Sequence, residues 1–160
     1  MIYLLNLCDG FIFQGGDNYY DYDFKALEYI INNDKPLLGI CLGMQTLGCY
    51  YGSGLKTEDN TNHNVKNKQY VHDVYIDKNS RLFKIIGSAH IFVNSRHNDY
   101  ITNQINFNVS AISNDGIIEA IEIPNKKFCI GVQWHPEDLL EDTNQLKLFR
   151  EFINCCKNNY

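Results

Sequence analysis

Two stretches of this sequence hold residue types that could do covalent chemistry together. In Gly39-Ile40-Cys41-Leu42-Gly43-Met44-Gln45 a cysteine has glycine two residues away on either side. Lys35-Pro36-Leu37-Leu38 before it suits a short buried parallel strand, and Met44 to Tyr51 after it suits a helix. Cys41 then occupies a sharp strand-to-helix turn, where strand and helix approach closely and small flanking residues are needed. Such a turn also puts the sulfur at a helix N-terminus, where unpaired N–H groups and the helix dipole favour thiolate. A buried structural cysteine in an ordinary βα turn is the competing reading of the elbow taken alone. The missing base lies downstream, in Phe128-Cys129-Ile130-Gly131-Val132-Gln133-Trp134-His135-Pro136-Glu137. Phe128 to Gln133 reads as a strand, and Pro136 biases His135 toward an extended conformation. Residues i and i+2 of an extended segment share a face, so His135 and Glu137 can point the same way. An imidazole so placed can take a proton from a thiol while the carboxylate holds its other nitrogen, the logic of a Cys-His-acid triad.

With these two stretches, three more motifs complete an ordered set. They are Asp9-Gly10-Phe11-Ile12-Phe13-Gln14-Gly15-Gly16-Asp17, Val93-Asn94-Ser95-Arg96-His97 and Asp115-Gly116-Ile117-Ile118-Glu119-Ala120. Together they resemble a class I glutamine amidotransferase-like domain, and within that group the γ-glutamyl hydrolases (peptidase C26, γ-glutamyl-γ-aminobutyrate hydrolase-like). The resemblance runs from about Leu5 to the end of the chain. It implies an α/β fold, a flavodoxin-like three-layer sandwich whose central sheet is mostly parallel with added antiparallel hairpins. It implies Cys41 as nucleophile, His135 as general base and acid, and Glu137 as the group orienting His135. A tetrahedral oxyanion needs two donors; by resemblance they are the backbone N–H of Leu42 and that of Gly15 or Gly16. Family members carry proline before the paired glycines, whereas this chain has Gln14, which leaves those donors available. Gln45, one turn beyond Cys41, and Asn94, Ser95, Arg96 and His97 are implied to border the glutamyl group. A guanidinium at Arg96 could bind a carboxylate bidentately. The competing reading makes Gln45 a helix former and 94–97 a solvated loop; Asn98 and Asp99 read as loop.

The elements that must position these residues can be read from pattern. Phe11 to Phe13 reads as a strand ending in the glycine loop, and Asp23 to Asn32 as a helix with Phe24, Leu27, Tyr29, Ile30 and Ile31 supplying apolar surface. Thr57 to Lys68 is polar and Asn-rich, as a loop would be. Strands are expected at 70–76, 89–93, 107–113, 117–123 and 128–133, with Asn114-Asp115-Gly116 a hairpin signal between two of them. An amphipathic helix is expected from about Asn144 to Lys157, turning Leu146, Leu148, Phe149, Phe152 and Ile153 to the core.

Composition bounds the remaining possibilities. The 160 residues suit one domain, 1–160, and 44% hydrophobic content suits a packed core. A net charge of −5 without a basic stripe argues against a nucleic-acid partner. No segment reads as a membrane span or a signal peptide, so a cytoplasmic location is expected. The six cysteines include adjacent Cys155 and Cys156, an awkward pair to bridge, and all but Cys41 read as reduced packing or surface residues. His63, His72 and His90 show no zinc-like spacing with cysteines, so no metal is expected, and by resemblance His72 reads as a structural histidine. No cofactor is implied.

The glycine loop arrives by residue 15, whereas family domains begin with one or two βα units before it. A minimal version, a gap filled by a partner or dimer mate, and truncation at the N-terminus all stay open. The leading expectation is a cysteine hydrolase that cleaves a small-molecule γ-glutamyl amide through a γ-glutamyl thioester. A glutaminase subunit supplying ammonia to a synthetase partner is the alternative, since the chain has no Walker-type phosphate loop. An inactive truncated remnant is the third.

Overall fold

In a computed structural model, residues 2–57 and 62–157 are described. The first half supplies α1 (Ile2–Asn6), β1 (Phe11–Phe13), α2 (Asp21–Asn32), β2 (Leu37–Ile40), α3 (Leu42–Tyr50) and β3 (Leu55–Thr57). The middle supplies β4 (His72–Ile76), α4 (Arg81–Ile86), β5 (His90–Val93) and β6 (Asp99–Ile101). The chain continues through β7 (Asn108–Ser113), β8 (Ile118–Glu122) and β9 (Cys129–Val132) to a 3-10 turn at Pro136–Asp138 and α5 (Thr143–Lys157).

Seven strands form one sheet in the order β1-β2-β9-β8-β7-β4-β5. β2 pairs in parallel with β1 on one side and with β9 on the other, setting Gly39 opposite Gly131 and Ile40 opposite Val132. From β9 outward every pairing is antiparallel. The β7–β8 pair closes through the expected Asn114-Asp115-Gly116 turn, where Gly116 takes φ +85°. A second, two-stranded sheet pairs β3 with β6.

Why the middle strands are continuous apolar runs follows from their place. β2 and β9 are buried along their whole length because helices cover both faces of the sheet. Alternation then divides their side chains. Leu38, Ile40, Ile130 and Val132 pack with Leu82 and Ile86 of α4 and with Leu148 and Phe152 of α5. Leu37 and Cys129 pack on the other face with Leu27, Ile30 and Ile31 of α2 and with Met44 and Leu47 of α3. The result is the expected three-layer α/β sandwich, although parallel pairing is confined to β1-β2-β9 and the added antiparallel strands make up the larger part of the sheet. α5 turns Leu148 and Phe152 inward as expected but leaves Ile153 47% exposed, on the outer side of its apolar stripe.

The helices α1 and α4 and the strands β3 and β6 escaped the pattern reading. α1 and α4 are too short for a 3.6-residue period to register, and α4 is fixed instead by Ser80, whose hydroxyl caps the Phe83 N–H, and by Gly87 at φ +79°. The β3–β6 pairing depends on partners 42 to 46 residues apart, which no local pattern encodes. Of the loop expected over 57–68, residues 58–61 lie outside the described part.

Candidate active site

Cys41 joins β2 to α3 with φ 51° and ψ −106°, a region that a side chain disfavours and that marks a strained, over-determined backbone. The strain is held from both sides. The Cys41 N–H donates to Val132 O of β9 at 2.8 Å, and its carbonyl accepts from Gln45 N at 3.1 Å. The flanking glycines are required by contact. A Cβ on Gly43 would lie 2.0 Å from the Phe13 carbonyl oxygen, and one on Gly39 2.8 Å from the Gly43 backbone. Any side chain there would therefore push α3 off β1 and β2. Cys41 itself is buried, at the N-terminal end of α3.

His135 follows β9 through Gln133 and Trp134, both fully buried. The Trp134 indole N–H donates to Gln145 Oε1 of α5 at 3.0 Å. The His135 backbone is gripped on both of its polar groups by Asn94, whose Nδ2 donates to His135 O at 2.8 Å and whose Oδ1 accepts from His135 N at 2.7 Å. The segment is not extended beyond this point. Pro136 opens a 3-10 turn, a position that its missing N–H and fixed φ suit. It is this turn, rather than strand alternation, that brings Glu137 Oε1 within 2.6 Å of His135 Nδ1. The Cys41 side chain lies on the same side of the glycine loop as this imidazole, both flanking Gly15, and with Nδ1 engaged by Glu137 it is Nε2 that is left for the thiol. Burial opposes a charged imidazolium here. The neighbouring Cys41 and the Glu137 carboxylate, hydrogen-bonded to the ring, outweigh it and push His135 up to about 9. Burial likewise disfavours the Glu137 carboxylate, but the His135 hydrogen bond, helped by the charge of Arg96, brings it below the usual range.

The structure brings the expected oxyanion residues to one place. Gly15, Gly16 and Leu42 line a cleft of about 440 Å³ that also reaches Gln14, Tyr20, Asp23 and Thr46. Gly15 is the glycine nearer the reacting groups, since a Cβ there would lie 2.8 Å from His135 Cε1 and 3.5 Å from Cys41 Cβ. The expected glutamyl contacts are placed differently. Gln45 is buried, its Nε2 donating to Asp99 O at 2.7 Å and to Gln133 Oε1 at 3.2 Å. Asn94 is occupied with the His135 backbone. The buried Ser95 hydroxyl donates to His63 O at 2.7 Å, and Arg96 pairs with Asp138 at the rim. His97 turns toward Glu119, 3.8 Å away, and its Nδ1 lies 3.0 Å from Asp99 O.

Two features of the molecule were not singled out from sequence. The Gln133 side chain donates to Cys41 Sγ at 3.6 Å while accepting from Gln45, so Gln45 reaches the cysteine through Gln133. Its signal was its place in the strand end immediately before His135. The second is a buried group formed by His63, His72, His97 and Glu119. Glu119 has no exposed surface; burial favours its neutral form, but the imidazoles outweigh that and hold it down to about 2.

The family model for peptidase C26 matches residues 18–137 of this chain. The chain belongs to the peptidase C26 family. A Schizosaccharomyces pombe protein named as a candidate glutamine amidotransferase is 34% identical over 143 residues, covering 84% of this chain and 56% of that protein. CTP synthase of Borreliella afzelii is 31% identical over 185 residues, covering 92% of this chain and 35% of the synthase. The chain thus spans between about a third and somewhat over half the length of these two curated relatives. Among solved structures, the glutaminase domain of Trypanosoma brucei CTPS with bound acivicin superposes with a TM-score of 0.77 at 22% identity, covering 99% of this chain and 75% of that one. That likeness fixes the fold as glutamine amidotransferase-like. Among the described residues no helix is long and apolar enough to cross a membrane.

Proposed function

We propose that this peptidase C26 member is a cysteine hydrolase that cleaves a γ-glutamyl amide through a γ-glutamyl thioester. The observation that carries the reading is the paired His135–Glu137 set beside Cys41, across Gly15, at a strained strand-to-helix elbow. His135 takes the Cys41 thiol proton as the sulfur attacks the γ-carbonyl carbon, forming the C–S bond while the carbonyl π pair moves to oxygen as an oxyanion that the Leu42 N–H and the glycine loop would receive. Collapse of that intermediate breaks the C–N bond, and the imidazolium of His135 gives its proton to the departing amine. Water then attacks the thioester carbon while His135 takes the water's proton, and cleavage of the C–S bond releases glutamate and returns Cys41. Glu137 positions the imidazole and stabilises its charged form throughout. Asn94 is a positioning residue that fixes the His135 backbone, and Gln45 acts through Gln133. The cleft beside Gly15, Gly16 and Leu42 receives the acyl portion of the substrate. Ser95, Arg96 and His97 would touch a glutamyl head only by releasing the partners they now hold.

The test is the purified chain on glutamine and on several γ-glutamyl amines, each with wild type and Cys41→Ser. Turnover of the amines by wild type alone is expected. Turnover of glutamine only when a synthetase is added would instead establish the second reading, a glutaminase subunit with a synthetase partner. That reading is favoured by the identity to CTP synthase extending over 92% of this chain. No thioester and no turnover in either arm would leave the protein as an inactive remnant.

A further inference from the structure

Glu119 is a carboxylate with no exposed surface, and neither of its oxygens has a hydrogen-bond partner of good geometry. A buried, unpaired carboxylate is among the most expensive arrangements a fold can hold. Three imidazole nitrogens converge on one of its oxygens. His63 Nδ1, His72 Nε2 and His97 Nε2 stand 3.4, 3.5 and 3.8 Å from Oε1. The four atoms all lie within 4.8 Å of one another.

The outward ring nitrogens decide what faces inward. His63 Nε2 lies 3.0 Å from an Asp115 carboxylate oxygen, His72 Nδ1 3.2 Å from Asp73 O and His97 Nδ1 3.0 Å from Asp99 O. Each of these partners can only accept, so each outward nitrogen carries a proton. A neutral imidazole then presents a bare lone pair on its inner nitrogen. The Ser95 hydroxyl, 3.4 Å from His63 Nδ1, gives its proton to the His63 carbonyl and does not fill that lone pair. Three lone pairs and an anion directed at one point repel one another, unless a positive charge, a proton shared among them or a metal ion, stands between them.

We propose that His63, His72, His97 and Glu119 form a closed tetrahedral site for a divalent transition-metal ion, zinc being the ion whose chemistry fits best. Three imidazoles and one carboxylate are a zinc donor set, and bonds of about 2.0–2.1 Å place tetrahedral donors about 3.3–3.4 Å apart. The spacings around Oε1 need to close by a few tenths of an ångström, and the widest separations among the four donors, up to 4.8 Å, by roughly 1.5 Å, which side-chain rotation can supply. Each histidine already has the carboxylate or carbonyl partner that orients a metal ligand, Asp115 on His63 being the carboxylate–histidine form. A cleft of about 380 Å³ lined by His63, His72, Val65, Lys68 and Asp115 gives the ion its route in. No metal is expected from the spacing of histidines and cysteines, and the four donors here sit on separated segments that no spacing rule joins.

With no open coordination position, the ion would be structural. It would tie the 62–64 turn and β4 to β8 and to the 94–97 segment. That segment carries Asn94, the clamp on His135, so occupancy would stiffen the catalytic histidine's seat without touching substrate.

The full-length chain, stripped with chelator, should be titrated with zinc sulfate against a chromophoric chelator and, in parallel, with cobalt chloride. One equivalent of zinc per chain is expected, with the intense visible bands of tetrahedral cobalt and a rise in Tm that excess chelator reverses. Asp115→Asn, on a side chain 42% exposed, leaves the four donors in place and should weaken zinc affinity by about 10–100-fold. His72→Gln should abolish the cobalt bands. If the wild-type chain remains folded but binds neither ion stoichiometrically, or shows only octahedral cobalt, the proposal is overturned and the cluster is held by protons. None of these readouts uses substrate, so the outcome is separate from that of the hydrolase reading.

Discussion

Asn94→Ala probes how the histidine is held. The Asn94 side chain is 3% exposed and makes two hydrogen bonds to one peptide segment, at 2.8 and 2.7 Å. Each is worth about 1 kcal/mol net, and leaving a partly buried N–H or C=O without a partner adds about 1–3 kcal/mol. Partial access of water to the freed groups keeps the sum to roughly 2–4 kcal/mol. For a domain of this size each kcal/mol moves Tm by about 2–4 °C, so a loss of roughly 5–15 °C is expected. The functional effect should be larger than the stability effect suggests. A displacement of the imidazole on the order of 1 Å costs about 10²-fold in rate, so turnover of a γ-glutamyl anilide should fall by about that factor in protein that is still folded at the assay temperature. Calorimetry and steady-state kinetics on the same preparation check both numbers. Asn32→Ala, at an exposed site ending α2, serves as control and should stay within about 0.5 kcal/mol. A Tm loss below about 2 °C with unchanged turnover would refute the clamp.

Cys41 should be alkylated fastest of the six thiols near neutral pH, because burial pushes Cys49, Cys155 and Cys156 above the ordinary thiol value and Cys129 up to about 12. Peptide mapping after brief iodoacetamide treatment checks this, and labelling of Cys8 ahead of an inert Cys41 would count against the elbow. His135 is raised from 6.5 to about 9, so stabilisation by its protonated form is full below about pH 6.5 and is lost as pH rises through about 9. Turnover, which needs that proton for the leaving amine, should therefore fall on an alkaline limb near pH 9, and Glu137→Gln should move the limb to lower pH; an unmoved limb would contradict the pairing. Gly43→Ala puts a methyl carbon 2.0 Å from the Phe13 carbonyl oxygen, so the variant should lose several degrees of Tm or fail to accumulate as folded protein, measured against Gly116→Ala, where a Cβ meets nothing within 4 Å.

What the sequence determined by itself was local chemistry and local geometry. The glycine spacing around Cys41 announced a turn too tight for side chains, and the structure shows the contacts that make it so. The Asn114-Asp115-Gly116 turn, the continuous apolar strands β2 and β9, and the amphipathic α5 were legible for the same reason, since each rests on residues within a few positions of one another. His-Pro-Glu announced a paired imidazole and carboxylate, although the turn that joins them is 3-10 rather than extended.

The tertiary structure decided everything that depends on distant segments meeting. Residues 94–97 read by resemblance as substrate contacts, with a solvated loop as the competing reading, and both missed that Asn94 grips the His135 backbone 41 residues away. Gln45 lies on the same helical face as Cys41, but its amide is consumed by Asp99 and Gln133, which only packing could bring there. Glu119 read as one more residue of a strand motif. Its neighbours arrive from positions 63, 72 and 97, because sheet pairing and the turn around His63 bury four polar groups at one point. Periodicity records which face a residue takes along its own element, whereas the partner waiting on that face is set by the long-range closure of the chain.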